Sequence, residues 1–377
     1  MRLFDPRMKK LADLIVGYST KVKPGDVVLI ETTDVAEEMV SALVRSVYEH
    51  GGHPLLNIRL NSVLRDYYNG ATDEGMKVYG EVELDAMMRA QVFIDVRGYY
   101  NIAEHMDVPR DRMARVIKYW WKPVHVDWRI NKTRWVVLGW PSPAQAQVAE
   151  MSSEAFEDFF FDASTLDYAR MSKAMDPLVE LMKKTHQVHI TGPGTDLRFS
   201  IKGIPAIKCD GSINIPDGEV YTAPVRDSVE GTIQYNTRSL YQGRIFDNIR
   251  FKFRNGKIVE ASSSDTATTN SILDSDEGAR YVGEFAFGLN PYIRRPMLNV
   301  LFDEKIAGSI HFTPGNSYED APNGNKSSVH WDIVLMQDQK AGGGNVYFDN
   351  VLVRKDGAFV LDELKDLNPE RLVPSER

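Results

Sequence analysis

Only one cysteine, Cys209, occurs in the 377 residues. That excludes an internal disulfide framework and any zinc knuckle built from several thiolates. A metal in this chain would have to be held by imidazole and carboxylate. A reducing, cytoplasmic setting fits the same usage. No run approaches the roughly 18 apolar residues that span a bilayer, so no membrane partner is expected. Basic residues are outnumbered, 45 against 53 acidic, and the net charge is −8. With no basic run interleaved with aromatics, nucleic acid is not an expected partner either. The glycine fingerprint of dinucleotide sites is also missing. After the apolar run VVLI comes Glu31-Thr32-Thr33-Asp34, which lacks the glycines that let a backbone approach a pyrophosphate, and no nucleotide cofactor is assigned. No G-x-S-x-G nucleophile elbow occurs.

What is present describes a folded protein of two domains. Hydrophobic residues make up 43% and charged residues 26%, ordinary proportions for a globular chain of this length. Met8, Leu11, Leu14, Ile15 and Tyr18 recur at helical spacing and predict an amphipathic first helix. Residues 27–31 predict a strand. Asp34 with Glu37 three places on reads as a capping box for a helix carrying Val35, Met39, Val40, Leu43, Val44 and Val47 on one face. Gly51-Gly52 stops it, and 54–60 returns as a strand. Further strands are expected at 92–96 and 136–138. Strands alternating with helices imply parallel pairing and right-handed crossovers, a Rossmann-like layer.

From residue 186 onward strands dominate. Leu197, Phe199 and Ile201 alternate with polar residues, and Asn255-Gly256 and Asp356-Gly357 mark hairpins. Gly342-Gly343-Gly344 reads as closing another, and one helix is expected over 266–281. The fold class is therefore α/β. A Rossmann-like domain over 1–184 precedes a mainly β (α+β) metal-binding domain over 185–377.

The chemistry concentrates near the C-terminal end, in IHFTPGNSYEDAPNGNKSSVHWDIV. His330 and Asp332 are two apart, so in an extended strand they project to one side, and with His311 they supply part of a site for a borderline divalent cation. Glu219 follows a Pro-Asp-Gly turn, Glu284 sits in YVGEFAFG, and Glu304 precedes His311. Taken singly, each has a plainer reading: a solvated glutamate, a satisfied core histidine, or, for Tyr318, a packing aromatic. The triplet His125-Val126-Asp127 has the same H-x-D form in an aromatic-rich segment without a second histidine ahead of it, and reads as packing.

Four ordered motifs together, NIPDGEVYTAP, YVGEFAFGLN, DEKIAGSIHFTPGNSY and GNKSSVHWD, resemble the thermophilic-type metallo-aminopeptidase family, that of aminopeptidases T and S. The likeness extends to LADLIVGYSTKVKPGDVVLIE and ITGPGTDLRFSI, nearly the whole chain. It implies two divalent cations per chain (zinc, cobalt or manganese), a homodimer, and peptide substrates with a free N-terminus. By that resemblance the metal ligands fall on Glu219, Glu284, His311, His330 and Asp332. Glu304 matches a further acidic ligand of some members, and the active-site tyrosine falls on Tyr318. Hydrolysis would use a water activated by two cations, with Glu219 or Glu284 bridging them and Tyr318 donating to the oxyanion. Where members commonly carry Ala-Leu-Gly, this chain has Thr313-Pro314-Gly315. An alternative uses His311, His330 and Asp332 alone, as a mononuclear non-haem Fe(II) ring-cleaving dioxygenase; Glu219 and Glu284 discriminate, since such a triad does not need them.

Overall fold

In the computed structural model, which describes residues 5–373, the chain divides into two units. The first holds the described residues up to Thr165 together with Gly211–Pro216; the second holds Leu166–Asp210 and the described residues from Asp217 onward. The expected boundary at residue 184 falls later than this division. The helix Tyr168–Lys184 groups with the second unit, where it buries Met171, Met175, Leu178 and Met182 and where its Asp176 and Ser172 bond Lys208 and Asp210.

The first unit is built on a five-stranded sheet. Val27–Thr33 pairs in parallel with His53–Arg59 on one side and Val92–Arg97 on the other. Arg134–Gly139 and then Asn214–Ile215 extend it, also in parallel. The strand order is second, first, third, fourth, so the winding reverses between the first and third strands. The Rossmann-like expectation holds. The helix Glu37–Glu49 buries Met39, Val40, Leu43 and Val47 as its spacing predicts. Its start does not follow the capping box: Asp34 is left-handed, with φ 51°. Its carboxylate is taken instead by the backbone and side-chain nitrogens of Asn61.

The second unit contains an eight-stranded sheet and a five-stranded one. The five-stranded sheet runs Val334–Met336, Ser309–Pro314, Val282–Gly288, Glu219–Thr222, Ile207–Cys209, antiparallel throughout. Side chains alternate across each strand. Phe285 and Phe312 on one face meet Phe199 of the larger sheet at ring separations of 5.0 Å each. Such aromatic contacts contribute about 0.5–1.5 kcal/mol per pair beyond area burial, and they pack this face of the sheet.

Asn255-Gly256 and Asp356-Gly357 both take positive φ and join paired strands, as hairpin turns require. Two local expectations are corrected. The helix over 266–281 ends at Leu273, because Asp276 turns its carboxylate to Ala279, Ser327 and Ser328 instead of continuing the helix. The segment around Gly342–Gly344 does not close a hairpin: Val334–Met336 pairs with Ser309–Pro314, while Asn345–Phe348 pairs in the other sheet. Among the described residues, no helix is long and apolar enough to cross a membrane.

Candidate metal centre

Register brings the acidic and imidazole groups together. Glu284 pairs with Thr313, Ala286 lies between His311 and Tyr221, and Gly288 pairs with Glu219. With Phe285, Phe287, Ile310 and Phe312 turned into the core, alternation sends Glu284, His311, Thr313 and Glu219 to the opposite face. Ala286, the smallest chiral side chain, leaves room above the sheet. Gly283 matters for a different reason. A Cβ there would lie 2.0 Å from the Asn316 carbonyl oxygen, so only glycine lets this strand pass the loop that carries His330.

Both imidazoles are oriented by backbone carbonyls. His311 Nδ1 is 3.2 Å from the Glu304 carbonyl oxygen and His330 Nδ1 is 3.0 Å from that of Asn316. A carbonyl can only accept, so each Nδ1 carries a proton and each Nε2 is directed at carboxylates. His311 Nε2 is 3.1 Å from Glu284 Oε1 and 3.5 Å from Glu219 Oε2. His330 Nε2 is 3.2 Å from Glu284 Oε2 and 3.3 Å from Asp332 Oδ1. Glu284 thus gives one oxygen to each histidine. Asp332 is held in turn by the Thr313 hydroxyl at 2.8 Å.

Five buried or half-buried carboxylates gather here, Asp217, Glu219, Glu284, Glu304 and Asp332, against one ammonium, Lys305. Lys305 is fully buried and lies 3.8 Å from Glu219, 3.9 Å from Asp217 and in direct contact with Glu304. The surplus charge shows in the titration of the groups. Burial pushes Glu219 up, to about 8, despite the opposing field of Lys305. Burial favours neutral imidazoles, yet Glu284 and Glu219 carry His311 up to about 10, and Asp332 and Glu284 carry His330 up to about 12.

The donor set fits a divalent cation. Glu219, Glu284 and His311 form one group of donors within 4.8 Å of one another, and Glu284, His330 and Asp332 form a second. Glu219 Oε2 is buried without a hydrogen-bond partner, and His330 Nε2 forms no aligned hydrogen bond with the carboxylate oxygens 3.2 and 3.3 Å away, as expected of the ligand atoms of a metal site. Imidazole and carboxylate suit zinc, cobalt and manganese alike. A third group, Cys209, Asp217 and Glu219, adjoins the Lys305 ammonium, and burial holds the Cys209 thiol well above its ordinary range.

Of the sequence-named residues, Glu219, Glu284, His311, His330 and Asp332 converge. Glu304 belongs to neither ligand group, but with His330 and Asp332 it lines a cavity of about 180 Å³ whose other walls include Leu240, Tyr241, Leu298 and Val300. Tyr318 is 44% exposed, its ring 4.8 Å from that of His330. Lys305 and Asp217 were not singled out from sequence. The signal was a lysine inside the DEKIAG motif next to a buried strand, read only for its glutamate. The His125 triplet lies in a helical segment, Ile117–Arg129: His125 packs against Phe93 and Trp120 while Asp127 bonds Lys122 at the surface.

Comparison with known proteins bears on the family and the fold. The chain is 24% identical to aminopeptidase AmpS of Bacillus subtilis (strain 168) over 89% of its length and 90% of that protein's. The solved structure of wild-type AmpT from Thermus thermophilus shares the fold, with a TM-score of 0.77 at 22% identity, covering 95% of this chain and all of that one. 2,5-Dihydroxypyridine dioxygenase from Pseudomonas putida KT2440 also shares it, at 0.61 and 14% identity, over 96% of this chain and all of that one. The model of the thermophilic metalloprotease (M29) family matches residues 4–359. The chain belongs to that family of metallopeptidases.

Proposed function

We propose that this chain is an aminopeptidase, removing N-terminal residues from peptides with two divalent cations held side by side. The observation that carries the reading is Glu284, which sets one carboxylate oxygen against His311 and the other against His330. Glu219 and His311 would complete one ligand group, and His330 and Asp332 the other. Cations there would bring the pKa of a bound water near neutrality and polarise the scissile carbonyl.

The remaining roles belong to the chain's own side chains. Glu304, outside both groups but on the cavity wall, takes the proton from the attacking water and returns it to the departing amine. Burial raises its carboxyl above the ordinary range, which suits a group that must both accept and give. Tyr318 stands beside His330 and offers its O–H to the developing oxyanion. The small cavity takes the first residue's side chain against Leu240, Tyr241, Leu298 and Val300. Its carboxylates favour a free α-ammonium over a blocked terminus. Lys305 keeps Glu219 and Glu304 from repelling each other.

A mononuclear iron dioxygenase is not favoured. The likeness to the dihydroxypyridine enzyme is one of fold alone, and Glu219 and Glu284 stand among the same ligands. The test is hydrolysis of a panel of aminoacyl-p-nitroanilides and their N-acetyl counterparts by chelator-stripped protein, with each metal added back. Activity restored by zinc, cobalt or manganese and confined to free N-termini supports the reading. Equal cleavage of acetylated substrates, or activity indifferent to metal, contradicts it.

A further inference from the structure

The first unit holds a second cavity, which the peptidase reading leaves without a role. It encloses about 430 Å³ and is lined by the carboxyl ends of Val27–Thr33, His53–Arg59 and Val92–Arg97 and by helical segments above them. This is where the strand order reverses, the place where open parallel sheets take ligands. Pairing sets Glu31 beside Asp95 and, one step further along the same face, Thr33 beside Arg59 and Arg97. A row of acids is therefore followed by a row of arginines. Across from them stand Tyr68, Met113, Val116 and Trp120, with Ile117 and Trp121 half-exposed at the rim.

An ion-pair network that served only stability would pack without a void and satisfy its donors. Here Arg59 Nε, Trp120 Nε1 and His125 Nδ1 have no hydrogen-bond partner, although each of these cavity-lining residues is at most 7% exposed. The volume falls in the range of small-molecule sites. The charges say which molecule. Glu31, Glu83 and Asp95 are matched by Arg59, Arg97 and Arg129, and burial with Arg129 nearby holds the His125 imidazole uncharged, down to about 3. Two carboxylates at the floor repel a phosphate, and the glycine-rich turn that would cradle one is missing. The arginines repel a bare cation, and no metal-ligand group occurs among the described residues of this unit. A neutral ligand carrying both charges and an apolar body fits.

We propose that this cavity binds a free α-amino acid with an apolar side chain, its ammonium against Glu31 and Asp95 and its carboxylate against Arg97. The side chain then lies among Tyr68, Met113, Trp120 and Trp121. Arg97 is the suitable anion partner because its side chain remains 40% exposed beside Asp95.

Isothermal titration of the full-length protein tests this with L-leucine and its one-charge analogues, isoamylamine and isovalerate. L-leucine is expected to bind at millimolar or lower concentration, with each analogue weaker by about tenfold or more, the loss of one charge-assisted contact. Arg97→Gln and Glu31→Gln should each weaken L-leucine by a similar factor, while His330→Ala, at the metal centre, leaves it unchanged. No binding by the wild type, an analogue as tight as L-leucine, undiminished binding to either cavity variant, or loss in His330→Ala would overturn the assignment. The analogue comparison needs no variant to fold.

Discussion

Both units bury charged groups at a sheet, but they balance them differently. In the first, Glu31, Glu83 and Asp95 stand with Arg59, Arg97 and Arg129; Arg59 alone bonds Glu31 at 2.8 Å and Glu83 at 2.6 Å. In the second, five carboxylates share one lysine and two imidazoles, and the imidazoles are drawn far toward their protonated forms. A network that neutralises itself can persist as it is. One with a surplus of carboxylates calls for cations from outside, since buried like charges within a few ångströms repel strongly. The difference separates a cavity suited to a neutral dipolar molecule from a centre suited to metal.

The comparison breaks most sharply at Glu284. Glu284→Ala should lower peptidase activity by about 10³-fold or more, several kcal/mol of transition-state stabilisation, and lower bound metal in parallel when both are assayed on one preparation. Next comes Lys305→Met. Removing the only ammonium from a buried carboxylate cluster should destabilise the second unit by about 3–5 kcal/mol in chemical unfolding, with added divalent metal recovering part of the loss. A variant as stable as wild type without metal would show that Lys305 does not neutralise the cluster. Thr313→Ala removes the hydroxyl that orients Asp332, and metal affinity should fall about 10–100-fold, read by competition with a chelating dye.

The smallest effect lies in the first unit and concerns pH. Burial, with Asp95 and Glu83 adding to it against Arg59, raises Glu31 from 4.5 to about 7. The folded state therefore holds a proton that the unfolded chain has released between those values. The resulting stabilisation is full below about 4.5 and disappears as pH rises through about 7, a difference of roughly 1–3 kcal/mol. Urea unfolding on either side of this window should show a steeper decline for wild type than for Glu31→Gln. Parallel curves would mean that Arg59 keeps Glu31 ionised throughout.

How far these features could be read in the chain depends on the range of the interactions behind them. The strands of the first unit and the helix Glu37–Glu49 follow from local periodicity, and the hairpin turns follow from residues that tolerate positive φ. The five converging residues were named because four motifs in order resemble those of a known family, not because spacing could bring residue 219 to residue 330. That step depends on antiparallel register across three strands and on the bridge from Gly315 to His330. Asp34 failed as a cap because Asn61, distant in sequence, competed for its carboxylate. The Gly342–Gly344 segment misled because a glycine run marks a turn without saying which sheet each flanking strand joins. Asp95 and Arg97 showed as charges in an apolar run, but only pairing with Glu31 and Thr33 turns them into a cavity floor.

The central claim is that the carboxylate surplus of the second unit is answered by cations, and metal content per chain tests it most directly. Wild-type protein stripped with chelator, reloaded with zinc, cobalt or manganese and freed of excess should carry two ions per chain by elemental analysis, as a two-metal site requires, and Glu284→Ala should carry at most one. Wild type with no tightly held metal, or Glu284→Ala retaining both ions, would contradict it.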